Sequence, residues 1–237
     1  MTKANYIIFH PDYAREKIEV SAACLVATEL KKQWVGCIWV DEMHNGNEDP
    51  YVFHNDWIYS YCHASQLRRS ISNCYIQTGS WLIFCSGDEG NDGILCVDTA
   101  FKVGTIHEWT RIPNLELPPS FRNIRKTNKG LWKRHFCFPF NGHHKSVTHS
   151  YEAELGIQSS FLPLLKGERT TIELDDLPSD IRSQIANRIY GKYPVLLEDK
   201  EIEVIIKELR KRSDTLVLQD IKVSKMNVIL GKSKSRC

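Results

Sequence analysis

Apolar and polar positions follow two different patterns along this chain. Up to about residue 165, apolar residues come in short aromatic and β-branched runs, each ended by glycine, proline, aspartate or asparagine. Residues 34–40 (WVGCIWV), closed by the polar run DEMHNGNEDP, predict a buried strand. Residues 81–85 (WLIFC) and 94–103 flank the connection SGDEGNDG, and two apolar runs around such a loop predict an antiparallel hairpin. The preceding IQTGS, residues 76–80, reads as a turn. Residues 18–28 fit either a strand or the start of a buried helix. Residues 51–61 alternate aromatic and polar positions, and residues 64–73 (ASQLRRSISN) suggest a short helix. Periodicity is lost over 111–135, where Pro113, Pro118 and Pro119 mark an irregular connection. Residues 136–140 (FCFPF) suggest an edge strand, since Pro139 has no N–H for a ladder. The His-rich residues 142–154 lead toward a helix, and 161–165 are apolar again.

From residue 166 the spacing becomes helical. Ser179 and Asp180 cap a helix that stops near Gly191 and Pro194. Residues 198–212 place Ile202, Ile205, Ile206 and Leu209 on one stripe, with acidic residues in the first turn and basic residues in the last. Residues 216–223 and 227–230 suit a final pair of strands or a docking tail. The expectation is an α+β protein: a small β-barrel or curved antiparallel sheet with flanking helices over residues 1–165, and a helical C-terminal appendage over 166–237.

Composition narrows the class. With 237 residues, 42% hydrophobic and 25% charged, the chain is neither disordered nor fibrous. No stretch approaches the ~18 apolar residues of a membrane span. The N-terminus is apolar only over residues 6–9 and does not read as a signal peptide. The eight cysteines include no CxxC pair, and most sit in apolar runs such as ACLVA and GCIWV. Reduced core thiols and a cytoplasmic location are expected.

A net charge of +2 speaks against indiscriminate coating of nucleic acid. Its distribution changes that picture. Residues 111–145 hold eight basic residues against Glu116, a net +7, and residues 207–237 hold nine against three acidic ones, a net +6. The remainder therefore carries −11. Arg122, Arg125, Lys126, Lys133 and Arg134, interleaved with Phe121, Trp132 and Phe136, suit a phosphate backbone with rings stacked on bases. A solvated basic loop is the plainer reading.

Three groups have the residue types for chemistry. His143, His144, His149 and Glu152 lie close in sequence; on a helix His149 and Glu152 would share a face, fit for acid–base work or metal binding. A hydrolytic metal site wants about three ligands and an open position, and no metal or cofactor is assigned. Adjacent Cys62 and His63 would point to opposite faces of a strand, a poor nucleophile–base pair. Arg68 and Arg69 suit bidentate phosphate contact. The SGDEGNDG loop is no phosphate cradle, because Asp88, Glu89 and Asp92 repel anions. The tryptophans read mostly as core, with one or two, Trp109 among them, free to line a base-stacking pocket.

The run CHASQLRRSISNCYIQTGSWLIFCSGDEGNDGILCVDTAFKVGTIHEW resembles the core of the PUA-like superfamily, its EVE and ASCH groups and the bacterial and phage nucleotide-modification-associated domains. The carrying residues are Cys62, Leu67-Arg68-Arg69, Gly79-Ser80-Trp81, Ser86-Gly87 and the strand after them. His143-His144 and His149-Ser150-Tyr151-Glu152 resemble a motif of the modification-associated domains. The resemblance implies a PUA-like barrel with a pocket for a nucleobase, modified or not, in a modification or defence setting. On that reading Arg68, Arg69, Trp109, His143, His144 and Tyr151 bind the nucleotide, and nucleic acid or a nucleotide is the partner, with no membrane partner. Two alternatives stand beside it: a nucleotide- or nucleic-acid-processing enzyme in which His149 and Glu152 are catalytic, and an interaction module that meets a protein through its C-terminal helices.

Overall fold

A computed structural model describes residues 2–10, 15–41, 50–60, 74–86, 93–108, 117–127, 149–186 and 194–224. In chain order the strands are β1 (Thr2–Lys3), β2 (Asn5–His10), β3 (Arg15–Val26), β4 (Glu29–Asp41), β5 (Ile58–Ser60), β6 (Cys74–Tyr75), β7 (Trp81–Ser86) and β8 (Ile94–Glu108). Helix α1 (Pro119–Thr127) precedes β9 (His149–Ala153), β10 (Leu162–Leu165) and β11 (Glu168–Glu173). Then come α2 (Ser179–Ala186), β12 (Val195–Leu197), α3 (Asp199–Arg212) and β13 (Thr215–Val223).

Among the described residues, eleven strands make one open sheet in the order β12-β2-β7-β8-β11-β10-β13-β3-β4, with β9 paired to β8 and β5 to β9. The sheet is mixed: β2 and β7 run parallel, and its other strand pairs are antiparallel. Strands β1 and β6 form a separate parallel pair.

Apolar runs at the centre are buried on both sides. Along β7, Leu82 and Phe84 enter one core, while Trp81, Ile83 and Cys85 enter a second. This is the burial that a continuous apolar run demands, as opposed to the alternation of a strand wet on one face. The first core joins Tyr6 and Leu82 to Val20, Ile38, Phe101, Val217 and, from α1, Phe121 and Ile124. The second is covered by Ile181 and Ile185 of α2 and Ile202, Ile205 and Leu209 of α3.

The expected barrel with a helical appendage is therefore corrected. Strands β10 to β13 all belong to the same open sheet, and β13 lies inside it, between β10 and β3. Helices α2 and α3 cover one of its faces. The reason lies in the central strands: their rear face is as apolar as their front, and the single apolar stripes of α2 and α3 are what cover it. Gln184 Nε2 donates to Glu201 Oε1 at 2.9 Å and locks the two helices together.

Several expected elements are present. The hairpin around SGDEGNDG pairs β7 with β8. The ambiguous residues 18–28 are strand, in β3 and its turn, and 34–40 fall in β4, where Ile38 and Val40 are buried but Val35 is 66% exposed on the sheet's edge. The helix expected at 64–73 and the strand at 136–140 fall outside the described residues.

At the far end of the sheet, side chains bring β4 back to β11. The Asp98 side chain has no exposed surface, and Arg169 Nη1 stands 3.4 Å from its Oδ1. Arg169 also donates to Ser86 Oγ, and its guanidinium lies 4.5 Å from the centre of the Trp39 ring. Trp39 Nε1 donates to Glu168 Oε2 at 3.2 Å, and Lys17 pairs with the same carboxylate. Removing one partner from a buried ion pair strands the other. Arg169→Ala is expected to destabilise the fold by about 3 kcal/mol, read as a lowered urea midpoint; a loss under about 0.5 kcal/mol, the scale of an exposed pair, would show that Asp98 does not depend on Arg169.

Candidate functional site

Helix α1 begins after Pro118, with Pro119 in its first turn, where the lack of an N–H costs nothing. Phe121 and Ile124 face the first core. Arg122, Arg125 and Lys126, spaced three and four residues apart, share an exposed face. Arg125 and Lys126 also lie in the last turn, where the helix dipole favours cations. Asn123 Nδ2 donates to Asp56 Oδ2 and fixes the helix against the segment leading into β5.

Strand β9 lies between β5 and β8, with Glu152 opposite Ile58 and Thr105, and Ser150 opposite Ser60 and His107. Glu152 is the polar centre of the site. Its Oε1 accepts the Ser120 hydroxyl from the first turn of α1, and its Oε2 stands 3.2 Å from His107 Nε2. The His107 ring packs edge-on against Phe121, centroids 5.0 Å apart. Burial pushes the Glu152 carboxyl up; the adjacent His107 imidazole and the Ser120 hydrogen bond outweigh it and hold the group below its ordinary value. Because Ser120 bonds to the carboxylate and not to the imidazole, the trio is no serine-nucleophile relay. It is a carboxylate–imidazole pair, partly open to solvent, anchored to a basic helix.

Residues 149–153 form a strand, where positions three apart point to opposite faces. His149 and Glu152 therefore do not share the helical face expected for them; His149 stands opposite Glu108. The partner of Glu152 is His107, which sequence reasoning did not single out, and Ser120 likewise. No local pattern marked His107: residues 104–108 (GTIHE) hold one apolar residue and do not alternate. Tyr151 stacks on Tyr59, centroids 6.2 Å apart at 23°, and packs against the first core. Arg68, Arg69, Trp109, Lys133, Arg134, His143 and His144 lie outside the described residues.

Among the described residues, no group of three or more His, Cys, Asp or Glu side chains is placed to hold a metal ion, and no helix is long and apolar enough to cross a membrane. Cys24, Cys37, Cys85 and Cys96 are free thiols, and burial pushes the Cys24 pKa up to about 12, an inert group. No protein family, curated protein or solved structure matches this chain.

The lowered Glu152 value has a signed consequence. Its contribution to stability is complete above the ordinary glutamate value of 4.5 and is lost as the pH falls through the lower folded value. Glu152→Gln is expected to cost about 1–3 kcal/mol at neutral pH, with wild-type and variant melting temperatures converging in acid. A constant gap across that range would show that the charge of Glu152 contributes nothing.

Proposed function

We propose that this protein binds nucleic acid, with the exposed face of α1 against the phosphate backbone and a nucleobase, modified or not, as the recognised element. The observation that carries the reading is α1 itself: two apolar residues anchor it in the core, and three basic residues stand together on its outer face. Cations held on a rigid helix engage phosphates with little further ordering cost. The PUA-like resemblance of the run from Cys62 to Trp109 points to the same class of partner. Each phosphate contact to a single strand contributes about 0.7 to the slope of log affinity against log salt. Replacing Arg122, Arg125 and Lys126 with glutamine is expected to flatten that slope by about 2, read by anisotropy of a labelled single-stranded oligonucleotide. Wild-type protein that fails to bind at low salt, or an unchanged slope, rejects the proposal.

The His107–Glu152 pair beneath the same helix favours a second reading, an enzyme that acts on the bound strand by acid–base chemistry. Under it, Glu152→Gln abolishes cleavage of an oligonucleotide or nucleotide while leaving binding intact. Wild-type protein that turns over neither leaves binding as the whole function.

A further inference from the structure

A cleft of about 520 Å³ opens beside α3, away from the residues of the α1 site. Its apolar part is Trp81, 9% exposed, and Ile206. The 77–80 turn forms one wall: Gly79 holds φ +85 with nothing within 4 Å of where a Cβ would stand, so the wall is bare backbone. The rest of the lining is polar and carries more cations than carboxylates. Lys3, Lys102, Lys207 and Arg210 face the space, against Glu203 as the only carboxylate among the described lining residues.

These cations are not equivalent. Lys3 and Lys102 are held by carboxylates, Lys3 Nζ 3.1 Å from Asp199 and Lys102 Nζ 2.9 Å from Glu154. Those acids are themselves tied down, Asp199 by Asn5 Nδ2 at 2.9 Å and Glu154 by the Ser159 hydroxyl at 2.5 Å. Arg210 is half-buried. It donates to the carbonyls of Ile157 and Ser159, at 2.9 and 3.3 Å, and its guanidinium lies 4.5 Å from the centre of the Phe161 ring. Burial lowers its pKa. Among the described residues neither Arg210 nor Lys207 forms a salt bridge, and Glu203, on the same helix, forms none with either. A guanidinium held by neutral carbonyls in a partly dry site is an electrostatic deficit that a bound anion removes.

We propose that this cleft binds a small phosphomonoester carrying a flat ring, the class of the nucleoside monophosphates, as a site separate from α1. Lys207 and Arg210 take the phosphate, the ring lies along Trp81 and Ile206, and Glu203 and Gln158 accept and donate to hydroxyl or amino groups at the rim. The volume falls in the range of small-molecule sites, roughly 300–1,000 Å³.

Calorimetric titration of the full chain with AMP, UMP, adenosine and inorganic phosphate tests the proposal. AMP or UMP is expected to bind more tightly than adenosine or phosphate. Lys207→Glu, at an exposed position, is expected to weaken binding by about tenfold or more with an unchanged melting temperature. The glutamine variant of Arg122, Arg125 and Lys126 should keep wild-type affinity for AMP, so that failure of this site and failure of the α1 reading are separate results. The proposal is overturned if neither monophosphate binds, if Lys207→Glu binds as wild type does, or if phosphate alone binds as tightly as the nucleotides.

Discussion

The carboxylate of Asp98 has no exposed surface, and much of the architecture answers to that one group. A carboxylate carried into the interior must be met by a cation and by hydrogen bonds, or the fold loses several kcal/mol. Arg169 meets it, and the guanidinium is planar enough to serve Ser86 and lie over Trp39 in the same position. Trp39 belongs to the edge strand β4, four places from β11 in the order of the sheet. Holding its ring over Arg169, with Glu168 bridging Trp39 and Lys17, curls that end of the sheet toward its middle without strand pairing.

Strand β8 distributes the polar sites along this frame. Over fifteen residues it carries Asp98 in the buried ion pair, Lys102 at the cationic cleft and His107 beside Glu152. The successive partners of one long strand decide which chemistry each stretch can hold. Opposite β11 the surroundings are dry and demand a paired charge. Beside the 77–80 turn and α3 they are half-open and cationic. Against β9 and α1 they combine a carboxylate, an imidazole and a basic helix face.

Elements that announce themselves locally were legible. The apolar stripe of α3, with acids at its start and bases at its end, needs only its own residues to be read, as does the Gly-rich connection between β7 and β8. The hairpin of β3 and β4 was not legible, because its turn is Ala27-Thr28, held at φ of 44° and 74°. That conformation is normally given to glycine or asparagine; here the Asp214 carbonyl accepts Ala27 N–H at 3.0 Å, a contact from another part of the chain. Half of the candidate dyad escaped for the same kind of reason. Glu152 stood in a conspicuous cluster, while its partner His107 lies 45 positions earlier and meets it only through the β8–β9 ladder.

By itself, the sequence determined the globular class, the element types with strong local periodicity, the unequal spread of charge and the basic character of residues 111–145; the helix at Pro119–Thr127, where an irregular connection was expected, was not among them. These are properties of neighbouring residues, fixed by side-chain spacing and charge within a few turns of chain. The tertiary structure decided what no local spacing encodes: that β13 sits between β3 and β10, that the C-terminal helices cover the sheet, that Glu152 pairs with His107 on a strand, and that cations from three separate segments surround one cleft. Each of these joins positions far apart in the chain, and burial of both faces of the central strands is the force that brings them together.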